Sequence, residues 1–278
     1  MHRARLVLSI LLVCGCGVLL VFPIRSTTQT QQASYLGFDL NDYPGDEGLP
    51  VLRKTFSFTG YWLSPPPGAK ETTWLGTRSK LQAQGFGFVV LFNGKTTRDL
   101  KTVPDAIRKG ESDAADAAVL ARHEGFSPGT IIYLDVEEGG QLTPPYYEYV
   151  NAWIDGLSKA NFRAGAYCSG VPVNGVTTFK DIQDHLGGRK LALWVFNDVC
   201  PPAPGCVFPK TPPAIGQSGS SDATIWQFAQ SPRVKARTTH CAATYNRDGN
   251  CYAPGDNAHK WFLDIDVATS SNPSAPRE

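Results

Sequence analysis

The sequence predicts an α/β protein: a closed (β/α)8 TIM-like barrel in which two irregular, disulfide-stapled loops replace outer helices. Three observations carry this expectation. Eight extended apolar runs follow one another, helical patterns separate several of them, and the stretch from Tyr35 to Thr269 is long enough for one such barrel.

The extended runs are 35–41, 56–63, 86–93, 130–138, 163–169, 191–197, 223–229 and 261–268. Between them, Tyr146 to Ala160 repeats apolar residues every three or four positions, as an amphipathic helix does, and so does Ser112 to His123. Residues 73–84 and 178–187 carry shorter versions of the pattern. Strand alternating with helix points to parallel strands joined by crossovers. Two connections break the alternation. Residues 198–222, with Pro201, Pro202, Pro204, Pro209, Pro212 and Pro213, and residues 231–260 have little helical periodicity.

Those connections hold four cysteines. Cys200/Cys206 and Cys241/Cys251 each bracket a short loop rich in Pro, Gly, Asn or Asp, so short-range disulfides formed in an oxidising compartment are expected. A zinc site is the alternative, but neither spacing is C-x2-C, and His240 and His259 lack helical ligand spacing. Cys168, inside an apolar strand, is left over.

Residues 1–25 read as a signal peptide or an N-terminal membrane anchor: His2, Arg3 and Arg5 precede the uncharged apolar stretch 6–22, and no small-x-small site follows. Cys14 and Cys16 fit a lipoprotein signal poorly. A polar linker is expected over 26–34, the barrel over 35–269 and a disordered tail over 270–278. The expected setting is extracytoplasmic, either secreted, periplasmic or attached to a membrane through residues 6–22. Gly 27 and Pro 21 are scattered without a period, and 42% of the 278 residues are hydrophobic, which fits a globular, loop-rich domain. Without residues 1–25 the chain has 23 basic and 25 acidic residues, a net charge of −2, and such a surface has no reason to seek nucleic acid.

Strand parity then locates the acids. In Ile131-Ile132-Tyr133-Leu134-Asp135-Val136-Glu137, alternate residues share a face, so Tyr133, Asp135 and Glu137 lie together while Ile132, Leu134 and Val136 face the helices. The acids end a strand, and active sites of this architecture are built at the C-terminal strand ends. The same parity puts Asp39 inside with Gly37 and Asn41, and Asp264 and Asp266 inside with Phe262. Glu138 and Asp42 fall on the other face. First and last strands of a closed barrel are neighbours, so these acids are expected to converge at its mouth. Clustered carboxylates in a partly dry cleft repel one another, and one of them keeps a proton. That is general-acid chemistry for a glycosidic bond. Acids at strand ends also serve as caps or solvated rims. Three interior acid sites with no Lys or Arg within their strands favour function.

Aromatic rings stack on sugar C–H faces. Core packing accounts for most of the rings here; Tyr133, by parity, Tyr167 and Trp194 are the substrate-binding candidates, with Gln227 as an amide donor and acceptor and Asp266 beside them. No H-E-x-x-H, G-x-x-x-x-G-K-[ST] or G-x-S-x-G occurs, no cofactor is expected, and a hard-metal site for Mg²⁺ or Ca²⁺ ranks behind a metal-free one.

Gly37-Phe38-Asp39, Tyr133-Leu134-Asp135-Val136-Glu137, Ala166-Tyr167-Cys168-Ser169, Leu193-Trp194-Val195, Trp226-Gln227-Phe228 and Leu263-Asp264-Ile265-Asp266 occur in one order. In that order the chain resembles glycoside hydrolase family 25, the barrel lysozymes, and more closely the related bacterial glycoside-hydrolase-like domain of unknown function 1906. The resemblance implies Glu137 as general acid, Asp135 as the neighbour that orients or stabilises, and Asp39 and Asp264 as further carboxylates of the cleft. Asp266 stands where the family more often has Asn. The implied substrate is the β-1,4 link of an N-acetylated cell-wall glycan of the peptidoglycan type, with the substrate's own acetamido group assisting. The cysteine-bearing loops depart from family 25. The alternative is a catalytically inactive glycan-binding or envelope-associated barrel module.

Overall fold

A computed structural model describes residues 34–209 and 211–276. The apolar stretch 6–22 and nearly all of the linker therefore lie outside the described residues. No helix among those described is long and apolar enough to cross a membrane.

Eight strands close a barrel in chain order: β1 (Tyr35–Asp39), β2 (Phe58–Trp62), β3 (Gly87–Asn93), β4 (Ile131–Asp135), β5 (Arg163–Ser169), β6 (Ala192–Phe196), β7 (Ala223–Ala229) and β8 (Asp264–Ala268). Each lies within one of the eight apolar runs. Five helices, α1 (Leu49–Leu52), α2 (Arg78–Ala83), α3 (Val103–His123), α4 (Pro144–Lys159) and α5 (Thr178–Asp184), fill the connections as far as β6. The four residues of α1 are too few to show a period. α3 begins nine residues ahead of its apolar pattern, where Thr102 Oγ1 accepts from Asp105 N and Pro104 occupies the first turn. Its early turns bury small residues, Ala106 and Gly110, so hydrophobic periodicity does not mark them. A Cβ on Gly110 would stand 2.4 Å from Tyr149 O, and α3 packs that close to α4.

From β1 to β7 every neighbouring pair is parallel, but β8 runs antiparallel to both β7 and β1. This corrects the expectation of parallel strands throughout. A parallel return needs a crossover, usually a helix. Residues 231–260 supply only the short 3-10 turn Thr239–Thr244, so the chain re-enters the barrel from the end it left.

The four loop cysteines are oxidised, but the short-range pairing is corrected: the bonds are Cys200–Cys241 and Cys206–Cys251, with Cα separations of 5.8 and 5.3 Å. The loops after β6 and β7 leave the same end of the barrel and lie against each other, with Cys200 N donating to Arg237 O and Cys206 N to Thr244 Oγ1. Each bridge therefore staples one loop to the other. Phe208 of the first loop packs edge-on against Phe56, which in turn meets Phe38 on the outer face of β1. The stapled loops thus do the packing of the missing helices. Two disulfides fit folding outside the cytoplasm.

Residues 270–276 are not a loose tail, as their composition suggested. Asn272 Oδ1 accepts from Phe88 N, Ser274 Oγ from Val90 N and Ser274 O from Ile131 N, each at 2.9 Å. These groups occupy the gap below the first β3–β4 pair, Val90 with Ile132, and satisfy backbone donors there.

Candidate active site

Val136 N donates to Tyr167 O at 3.0 Å, which carries extended backbone past β4 and leaves Glu137 on the face of Asp135. Across the barrel, the β1–β8 register pairs Asp39 with Asp264 and Gly37 with Asp266. Because β8 is antiparallel, its first residue stands at the mouth and Asp266 lies one layer deeper, fully buried. Gly60 on β2 makes room: a Cβ there would stand 2.8 Å from Asp39 Cβ.

The result is a cavity of about 210 Å³ lined by Asp39, Asp135, Glu137 and Asp264 with Tyr167, Trp194 and Gln227. All four expected catalytic acids and three of the expected substrate-binding residues meet there. Tyr133 and Asp266 do not line it. Tyr133 is fully buried deeper in the barrel, its hydroxyl 3.4 Å from Thr224 Oγ1, with its ring over Gly165, where a Cβ would stand 2.4 Å from a ring carbon. Phe262, expected inside, is 56% exposed, because β8 starts at Asp264 and strand parity does not reach it. Glu138, on the outer face, accepts from Thr97 N.

The cavity also takes in Asn41, Trp62, Gln230 and Ser231. Gln230 and Ser231 escaped the parity argument because the β7–β8 pairing shifts register between Gln227 and Ala229. Their place just past a strand end is the one signal that marks them. Ser231 positions an acid: its N–H donates to Asp264 Oδ1 at 2.6 Å and its hydroxyl to Leu263 O at 2.6 Å.

A hydrogen-bonded chain fixes the other wall. Tyr167 Oη donates to Gln227 Oε1 at 2.8 Å, and Gln227 Nε2 donates to Asp39 Oδ1 at 2.9 Å. Trp194 Nε1 donates to Asp266 Oδ1 at 2.9 Å, and the edge of the Trp194 ring meets Tyr167, centroids 5.0 Å apart. Trp62 Nε1 is held by Leu40 O at 3.0 Å.

Burial dominates the titration of the acids, with no cation among the residues lining the cavity to offset it. Desolvation pushes the Asp39 carboxyl up to about 6, against the donors Gln227 and Asp266. Asp264 is held well above the usual carboxylate range by burial and then by the Asp39 charge. Asp266 is raised by burial and by Asp39. Asp135 is raised by burial and then by the charge of Glu137, to which it donates a hydrogen bond. Glu137 is exposed at the rim, yet protein atoms crowd its carboxyl, and this desolvation raises it while the bond from Asp135 pulls the other way. Burial and mutual charge thus favour one retained proton within the Asp135–Glu137 pair, on the deeper carboxyl. One oxygen each of Asp135 and Asp266 has no ordinary donor, as befits carboxyls whose remaining neighbours are carboxyls. No group of three or more acidic, imidazole or thiol side chains among the described residues is arranged to hold a metal ion.

Residues 65–196 match the family model of the Rv2525c-like, glycoside hydrolase-like domain. The matched stretch includes Asp135, Glu137, Tyr167 and Trp194, whereas Asp39, Gln227 and Asp264 lie outside it. No curated protein matches the chain significantly. Among solved structures, an uncharacterized B. stearothermophilus protein is similar with a TM-score of 0.54 and 16% identity, over 84% of this chain and 95% of that one. The modular autolysin LytC from Streptococcus pneumoniae in complex with synthetic peptidoglycan ligand has a TM-score of 0.48 and 14% identity, over 84% of this chain and 46% of that one. A family GH25 lysozyme from Aspergillus fumigatus has a TM-score of 0.48 and 13% identity, over 87% of this chain and 100% of that one. Over residues 65–196 the chain is thus similar to a glycoside hydrolase-like domain, in line with the motifs of that stretch.

Proposed function

We propose that the protein is a lysozyme-like glycosidase acting outside the cytoplasm on a β-1,4-linked, N-acetylated cell-wall glycan, with Glu137 as general acid. The observation that carries this reading is the convergence of Asp39, Asp135, Glu137 and Asp264 in one cavity at the barrel mouth, with Asp135 buried and Glu137 at the rim. Glu137, taking the proton from Asp135, gives it to the glycosidic oxygen as the C1–O bond breaks, and positive charge develops at C1. Asp135, the substrate acetamido oxygen, or both stabilise that charge. Water then supplies the new hydroxyl and returns a proton to Glu137. Asp39 and Asp264 line the cleft beside the pair and offer oxygens to the substrate's polar groups.

The test is release of reducing ends from peptidoglycan and chitin oligomers. Glu137→Gln should remove turnover while leaving the folded state intact, at a loss of about 10²-fold to 10⁴-fold. No release by the unaltered protein from either glycan would overturn the reading.

A second reading, a glycan-binding module without turnover, is favoured by the narrowness of the cavity. Its roughly 210 Å³ is less than the ~300 Å³ at which enclosed ligand sites begin. Glycan binding equal in the unaltered protein and Glu137→Gln, with hydrolysis by neither, would select it.

A further inference from the structure

The end of the barrel opposite the acids holds a second cavity that shares no residue with the first. Its volume is about 510 Å³, and it lies between the C-terminal half of α4 and the first residues of β5, β6 and β7. Ile154, Phe162 and Leu191 give it an apolar wall, while Arg163, Arg189 and Lys190 make its polar side basic.

Two acids also line it, and both are already engaged. Asp155 accepts from Arg189 Nε and Nη2, each at 2.9 Å, and Asp222 Oδ2 accepts from Gln183 Nε2 at 3.0 Å. Arg163 and Lys190 are left with no carboxylate partner among the described residues.

Arg163 is the deciding residue. It opens β5 on the face shared with Gly165 and Tyr167, the face turned to the barrel interior. Its Nη1 is buried and meets no acceptor. A guanidinium that lines the cavity without a carboxylate partner keeps donors unfilled, and its planar fork matches the oxygens of carboxylate or phosphate.

We propose that this cavity is a binding site for a small oxyanion carried on an apolar body, a carboxylate or a phosphate held by Arg163 and Lys190 with its body against Phe162 and Leu191. The site is independent of glycan chemistry at the mouth.

Calorimetric titration of the full chain with inorganic phosphate, acetate and benzoate tests it. One site with a millimolar Kd is expected for at least one oxyanion, with benzoate tighter than acetate because its ring covers the apolar wall. Whether phosphate or benzoate binds more tightly decides between phosphate and carboxylate as the natural group. Arg163→Gln and the exposed Lys190→Ala should each weaken binding about tenfold. Lys235→Ala, outside the cavity, and Glu137→Gln, at the other end, should leave it unchanged. Lys190 is exposed and its side chain makes no hydrogen bond or ion pair among the described residues, so Lys190→Ala reads binding even if Arg163→Gln folds poorly. Absence of binding by all three probes, or binding that survives Lys190→Ala and falls with Glu137→Gln, would overturn the proposal.

Discussion

Asp39 on β1 and Asp264 on β8 are direct cross-strand partners at the barrel mouth, two carboxyls of like charge set side by side. Like charges directly opposite destabilise a strand pair. A fold that keeps such a pair is holding an arrangement that stability alone does not favour.

The first prediction concerns stability and pH. Asp39, raised to about 6, and Asp264, raised further, bind protons more tightly folded than unfolded. Their stabilisation is therefore fully present below the unfolded carboxylate range near 4 and is lost as pH rises through about 6 and beyond. Surface acids such as the exposed Asp46 and the half-buried Asp105, lowered by lysine neighbours, act in the opposite direction but are screened by solvent. Asp39→Asn should flatten the fall in melting temperature between about pH 4 and 7. Equal slopes for both proteins would count against the raised carboxyl.

Activity should follow the Asp135–Glu137 pair. Both carboxyls are raised by burial, so the proton that the reaction needs stays bound toward neutrality and leaves as pH rises through the raised range. Reducing-end release should be highest on the acid side of neutrality and fall on the alkaline limb. Asp135→Asn, which removes the neighbouring acid, should move that limb to lower pH; a limb that stays in place would exclude Asp135 as the partner.

Gly60→Ala tests the positioning of Asp39. The added Cβ would stand 2.8 Å from Asp39 Cβ and 3.2 Å from Leu91 Cδ1, so the Asp39 side chain must shift. Overpacking of this kind costs about 1–3 kcal/mol in urea unfolding, and turnover should fall by more than the lost folded fraction explains. Turnover unchanged in the folded protein would show that Asp39 need not be placed closely.

Trp194→Phe deprives the buried Asp266 Oδ1 of its indole donor. Leaving that oxygen unpaired should cost about 1–3 kcal/mol at neutral pH.

Each disulfide joins positions more than 40 residues apart, Cys200–Cys241 separated by 41 and Cys206–Cys251 by 45. Loop-closure entropy assigns each about 4 kcal/mol. The double serine variant at Cys200 and Cys241 should lose roughly 2–4 kcal/mol in urea unfolding. Peptide mapping of the oxidised protein checks the pairing directly: a fragment joining Cys200 to Cys206 would contradict it.

Much of the barrel was legible because strand signals are local. A parallel strand buried on both faces must be apolar along its length, and Phe88 to Phe92 or Ile131 to Leu134 satisfy this without reference to distant residues. Parity within a strand is equally local, which is why the alternation of this segment puts Asp135 and Glu137 on one face. Parity failed where backbone regularity failed: at Phe262, ahead of the true start of β8, and at Gln230 and Ser231, beyond a register shift.

The sequence by itself determined the number and order of the strands, the faces of the principal acids and which cysteines are oxidised. Only the tertiary structure decided the direction of β8, the exchange of partners between the cysteine loops, the docking of Ser274 between β3 and β4, and the depth of Tyr133 and Asp266 below the cavity. The reason is range. Hydrophobic alternation and side-chain parity are set within a few neighbouring residues, whereas strand direction, disulfide partners and burial depth depend on which distant segments meet when the barrel closes.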